Sequence, residues 1–119
     1  MGSYKDTESN IKYTITCIYG EPGVGKTTYA KSIKPKYKGV ILDGDSIRKY
    51  ITYDLGYSDT DRQKNNEIIA NIAEWLYNQG FKVIISTVRA NIAYNRLIDK
   101  KIPCELIYID KERNINRER

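Results

Sequence analysis

The chain has 119 residues, 40% hydrophobic and 29% charged, a balance that fits one soluble globular core and excludes a disordered or membrane-spanning class. A net charge of +5 and an isoelectric point near 9.1 favour anionic partners, whether phosphate-bearing small molecules or nucleic acid. Histidine is absent, so histidine acid/base chemistry and histidine metal sites are excluded, and any general base must be a carboxylate.

Residues 1–10 lack the hydrophobic core of a secretory signal and read as a flexible tail, leaving 11–119 as a single domain with a cytoplasmic location expected. Residues 13–19 read as a buried strand, short and rich in β-branched residues. Directly after it, Gly20-Glu21-Pro22-Gly23-Val24-Gly25-Lys26-Thr27-Thr28 satisfies every position of the G-x-x-x-x-G-K-[ST] phosphate loop. Glycines let backbone N–H groups turn onto phosphate oxygens, and the helix that follows adds the positive end of its dipole. Gly20, Gly23, Val24, Gly25, Lys26, Thr27 and Thr28 are therefore candidate nucleotide-binding residues. Lys26 suits the β- and γ-phosphates of ATP, and the Thr27 hydroxyl suits Mg²⁺. The helix should run from Thr27 to Ile33, where Lys34-Pro35 ends it. The basic run Lys34 to Lys38 reads as a solvated connection, with nucleic-acid contact as its alternative.

Gly39 to Asp43 is a second buried strand, followed by Asp43-Gly44-Asp45 and a short helix over Ser46 to Tyr53. Thr60 and Gln63 form a capping-box pattern for a long helix over Asp61 to Asn78. Its core stripe is Ile69, Ile72, Ala73 and Leu76, with Trp75 at the core or packing edge and Gly80 as the stop. Lys82 to Thr87, Ala90 to Asp99 and Cys104 to Ile109 read as strand, helix and strand. Cys17 and Cys104 fall in apolar strands, which makes them buried packing residues rather than a disulfide.

Apolar strands alternating with helices define an α/β fold, a three-layer α/β/α arrangement of the P-loop NTPase type with a parallel sheet of about four strands. Ligands of such sheets bind beyond the carboxyl ends of the strands. That rule gathers the phosphate loop, Asp43 to Asp45, Ser86 to Arg89 and the segment after Asp110 at one edge. A phosphoryl acceptor benefits from a carboxylate that takes its hydroxyl proton, and Asp43 and Asp45 are the candidates. Asp45 equally suits capping the helix at Ser46, and Asp43 suits Mg²⁺ or a water bound to it. Arg48, one turn after Asp45, and the pair Arg62 and Asn65 suit clamping a phosphate or sulfate.

The phosphate loop, then Leu42-Asp43-Gly44-Asp45-Ser46-Ile47-Arg48, then Asp54-Leu55-Gly56-Tyr57-Ser58-Asp59-Thr60-Asp61-Arg62-Gln63-Lys64-Asn65, in this order resembles adenylylsulfate kinase over about Tyr13 to Ile109. The resemblance implies an ATP- and Mg²⁺-dependent kinase that moves the γ-phosphate of ATP to the 3′-hydroxyl of adenosine 5′-phosphosulfate. It implies Asp45 as general base, with Arg48, Arg62 and Asn65 holding the acceptor. Tyr57 stands where the family has a phenylalanine stacked on the acceptor's adenine. Ser86-Thr87-Val88-Arg89-Ala90 replaces the family's Ser-Phe-Ile-Ser-Pro, which puts Val88 and Arg89 among the acceptor-binding candidates. The family continues past the fourth strand into a lid, so a short form without it is expected, with Arg113, Arg117 and Arg119 either partial substitutes or a solvated basic tail. The partners implied are small-molecule nucleotides rather than nucleic acid or membrane, with a homo-oligomer open. Two alternatives remain at this point: another P-loop kinase acting on a polynucleotide 5′-hydroxyl or a small alcohol, or a nucleotide-binding protein without turnover.

Overall fold

Strands and helices alternate along residues 15–118, the part of the chain described by the computed structural model. The elements are β1 (Ile15–Tyr19), α1 (Lys26–Ile33), β2 (Gly39–Asp43), α2 (Gly44–Tyr50), α3 (Asp59–Asn78), β3 (Lys82–Ser86), α4 (Ala90–Asp99), β4 (Cys104–Ile109) and β5 (Ile115–Glu118). The tail expected over 1–10, positions 13 and 14 of the first strand, and Arg119 lie outside the described residues.

The strands form one sheet in the order β2-β3-β1-β4-β5. β1 sits at its centre, with Ile15 beside Val83 of β3 and Cys104 of β4, and these four strands are parallel because each is joined to the next by a helical crossover. β5 differs. It turns back directly from β4 and pairs antiparallel, Ile115 opposite Ile109 and Glu118 opposite Leu106. The parallel sheet thus has the expected four strands and gains a fifth where a solvated tail was one reading. Its four residues are all exposed, so no apolar alternation marked it as a strand.

Each face of the sheet is apolar and covered, which is why β1, β3 and β4 read as nearly continuous apolar runs. On the first face, Ile15, Cys17, Leu42, Val83, Ile85 and Leu106 pack under Ile47 of α2, Ile69, Ala70 and Ala73 of α3, and Ala90, Ala93 and Leu97 of α4. The second face joins Ile18, Ile84, Ile107 and Ile109 to Ala30 of α1 and Val24 of the preceding loop, flanked by Tyr29, Ile33 and Ile41. Burying each of the valine, leucine and isoleucine side chains among them contributes about 1.5–3 kcal/mol. Cys17 and Cys104 are buried free thiols, as expected. They are hydrogen-bonded to each other, and that bond together with burial holds the Cys17 thiol well above its ordinary range.

Three local expectations change. α2 runs over Gly44–Tyr50 and not Ser46 to Tyr53, starting two residues earlier and ending three earlier than read. α3 is capped by Ser58, whose Oγ accepts from the Asp61 N–H at 3.1 Å, and not by Thr60, which lies inside the helix while Gln63 donates to Glu67 at 2.8 Å. Both serine and threonine suit an N-cap, and the one at the extended position takes it. Trp75 is 64% exposed, because it lies off the Ile69-Ala73-Leu76 stripe. Among the described residues no helix is long and apolar enough to cross a membrane.

Candidate active site

The carboxyl ends of the parallel strands open onto a cleft of about 510 Å³. The phosphate loop between β1 and α1 forms one wall, with Pro22, Gly23, Gly25, Lys26, Thr27 and Thr28 at its surface. Gly25 caps α1 at φ 99°, a left-handed conformation natural to glycine, and supplies no side chain to the first-turn N–H groups. Those donors are left for a ligand. Gly20 and Val24, also expected to bind nucleotide, act from beneath. A Cβ at Gly20 would lie 2.5 Å from the Ile109 carbonyl oxygen, and Val24 is buried in the second-face core. They hold the loop against β4 and α1.

Lys26 Nζ donates to the carbonyls of Gly20 (2.9 Å) and Glu21 (3.0 Å), so its ammonium is braced across the loop's own backbone. Burial lowers its pKa, while Asp45, Glu21 and Asp43 pull the other way.

The opposite wall comes from β2, α2, α3 and the end of β3. Asp43 is the N-cap of α2: its Oδ2 accepts from the Ser46 N–H (3.1 Å) and from Ser46 Oγ (2.9 Å). The capping role considered for Asp45 therefore belongs to Asp43, and Asp45 lines the cleft from the first turn of α2. Arg48, one turn on, places its guanidinium carbon 4.4 Å from the centre of the Tyr57 ring, and that of Arg62 lies 5.9 Å from the same ring. The Nε of Arg48 is buried without a hydrogen-bond partner among the described residues. Asn65 is almost fully buried, accepting from Thr52 Oγ1 at 2.5 Å, while reaching the cleft.

Arg89 and Val88 line the cleft from the turn after β3, and Arg89 Nη1 pairs with Asp59 Oδ1 at 2.9 Å. All of the acceptor-side candidates thus meet in one cleft. Gly44, Asn66, Ser86 and Thr87 also line this wall, and Arg113 lines the cleft from the turn between β4 and β5. Asn66 Oδ1 accepts from Thr87 Oγ1 at 2.8 Å, and its Nδ2 donates to the Arg62 carbonyl at 2.9 Å, which ties α3 to the end of β3. Ser86, opposite Asp43 in the sheet register, has a buried Oγ with no partner among the described residues. A helix asparagine and a strand-end threonine 21 positions apart carry no sequence signal of being paired.

The donor set also fits Mg²⁺. The Thr27 hydroxyl and the Asp43 carboxylate, whose Oδ1 accepts no hydrogen bond from another described residue, are hard oxygen donors on one cleft. No group of three or more acidic or cysteine side chains forms a metal cage among the described residues. A protein share this small suits a cation that takes its other ligands from phosphate and water.

The family model for adenylylsulphate kinase matches residues 12–119. The adenylyl-sulfate kinase of Pseudomonas aeruginosa is 35% identical over 113 residues, covering 88% of this chain and 55% of its own. The probable adenylyl-sulfate kinase of Archaeoglobus fulgidus is 32% identical over 90 residues, 71% of this chain and 58% of its own. The chain therefore spans somewhat more than half the length of these curated relatives. A structure of Mycobacterium tuberculosis APS kinase has the same fold, with a TM-score of 0.72 at 24% identity over 89% of this chain and 81% of that one. A second structure of that enzyme, in complex with AMPPNP and APS, gives a TM-score of 0.62 at 21% identity over 81% and 61%. With a sheet, a phosphate loop and a family match that coincide over the same residues, the chain belongs to the adenylylsulphate kinase family.

Proposed function

We propose that the chain is an ATP-dependent kinase, a single P-loop domain over residues 11–119, that phosphorylates the 3′-hydroxyl of adenosine 5′-phosphosulfate in the cytoplasm. The observation that carries this reading is the convergence of Arg48, Tyr57, Arg62 and Asn65 in the cleft that also holds the phosphate loop and Asp45. A purine and a phosphosulfate need a π-face and bidentate cations, and Tyr57 with its two flanking arginines offers both. An unpartnered Arg48 Nε inside that wall is a buried donor waiting for an acceptor, and an acceptor oxygen satisfies it.

The phosphate loop and Lys26 hold the triphosphate, and Lys26 exchanges its two carbonyl partners for phosphate oxygens, which also relieves the cost of its burial. Thr27 and Asp43 would hold Mg²⁺, which when bound would screen phosphate charge. Asp45 takes the proton of the acceptor hydroxyl as that oxygen bonds to the γ-phosphorus and the bond to the β-phosphate oxygen breaks, releasing ADP. Arg89 leaves Asp59 for the acceptor's anionic group, an exchange favoured because an exposed ion pair contributes only about 0–1 kcal/mol.

The test is calorimetric titration of adenosine 5′-phosphosulfate into protein with ADP and Mg²⁺, followed by a product assay with ATP. Binding and a 3′-phosphorylated product are expected. Lys26→Ala should lower turnover about 10²–10³-fold, as removal of a transition-state cation or donor does. Nucleotide binding with no affinity for the sulfated acceptor would sink this reading and direct the search to polynucleotide ends.

A further inference from the structure

The strand order divides the cleft. β2 and β3 bring Asp43, Asp45 and Ser86 to one side, β1 brings the phosphate loop, and the next strand outward is β4. The turn that joins β4 to β5 consequently stands on the loop's side of the cleft, with β1 between it and the acceptor residues. Arg113, in that turn, lines the cleft. Arg117 does not: it is tied to Glu105 and lies 3.4 Å from the Tyr29 hydroxyl.

The turn is held firmly. The Asp110 carboxylate accepts from the N–H groups of Glu112 (3.0 Å) and Asn114 (2.9 Å) and from Asn116 Nδ2 (3.4 Å). Backbone bonds from Arg113 N–H to the Asp110 carbonyl (2.9 Å) and from Asp110 N–H to the Asn114 carbonyl (3.2 Å) close it. β5 is clasped on both faces, by Tyr19 donating to Glu118 Oε1 at 2.8 Å and by the Arg117–Glu105 pair. Arg113 itself sits at φ 67°, a left-handed conformation that costs a residue with a side chain about 1–2 kcal/mol. Its guanidinium makes no ion pair or hydrogen bond with another described residue. A braced, strained turn therefore holds an unpaired cation over the nucleotide's side of the cleft.

We propose that Arg113 is a phosphate-binding residue for the nucleotide, a second cation beside Lys26 that the β4–β5 turn supplies. The proposal rests on the kinase reading above. Arginine suits this place because its planar fork binds two phosphate oxygens at once and its charge is fixed. The base is not its target, since the advantage of a fixed cation here is greatest over the polyanionic end of the ligand.

Calorimetry with AMPPNP and Mg²⁺ on the wild type, Arg113→Gly and Arg113→Lys tests this, with adenosine 5′-phosphosulfate titrated in parallel. Glycine adopts positive φ freely, so the turn keeps its shape while the charge is lost. AMPPNP affinity should fall about tenfold in Arg113→Gly and less in Arg113→Lys, the size of one lost charge-assisted contact. Acceptor affinity should stay within twofold. Equal AMPPNP affinity in the wild type and Arg113→Gly would overturn the proposal, as would a loss confined to the acceptor. A wild type that binds no AMPPNP would instead overturn the kinase reading itself.

Discussion

Asp43 and Asp45 stand two residues apart after the same strand, and the fold gives them different work. Asp43 satisfies the open N–H of α2 through Ser46, whereas Asp45 faces the phosphate loop with no capping duty. Asp43→Ala should therefore lower stability by about 1 kcal/mol, read as a melting shift. Asp45→Asn should leave the melt unchanged and slow product formation about 10²–10⁴-fold. Full rate in the asparagine variant would remove Asp45 as the base. Tyr19 gives a pH signature. Burial and its bond to Glu118 push its phenol up to about 12 from an ordinary 10. The folded state thus keeps a proton that the unfolded chain loses, so this contribution is fully present below pH 10 and is lost as pH rises towards 12. Ultraviolet titration at the phenolate band should show a late-ionising component, and Glu118→Gln should move it to lower pH.

Among the elements, the long helix tests what sequence pattern can and cannot resolve. Ser58→Ala should cost about 1 kcal/mol and Thr60→Ala much less, because only Ser58 Oγ meets an open helix N–H. Equal losses would restore Thr60 as the cap. Gly20 was legible as a loop glycine, but its closest constraint was not: the Ile109 carbonyl, 89 positions away, occupies the space of a Cβ. Gly20→Ala should accordingly unfold or distort the loop rather than simply weaken nucleotide binding, which a melt with and without AMPPNP separates. The phosphate loop and the strands β1 to β4 were readable because backbone need and apolar runs are local. β5 was not, since four exposed polar-rich residues become a strand only when Asp110 turns them back along β4. The Thr52–Asn65 and Thr87–Asn66 bonds were hidden for the same reason, as was the exposure of Trp75.

Over the whole molecule, the acceptor-side candidates proved to share one wall because the sheet order and the carboxyl-edge rule leave them nowhere else to converge. Among the described residues three helices cover the first face of that sheet, while the eight residues of α1 are the helical cover of the second. Local opening free energies follow the apolar surface an element buries, so the two layers should not open together. Native-state hydrogen exchange should find the amides of α1 released by small, frequent fluctuations and those of α3 near Ile69 and Ala73 released only on global unfolding. The fluctuating layer is the one that begins at Lys26. A bound nucleotide should slow exchange in α1 much more than in α3, so that the same ligand which the loop holds also sets how tightly the thinner side of the sheet stays shut.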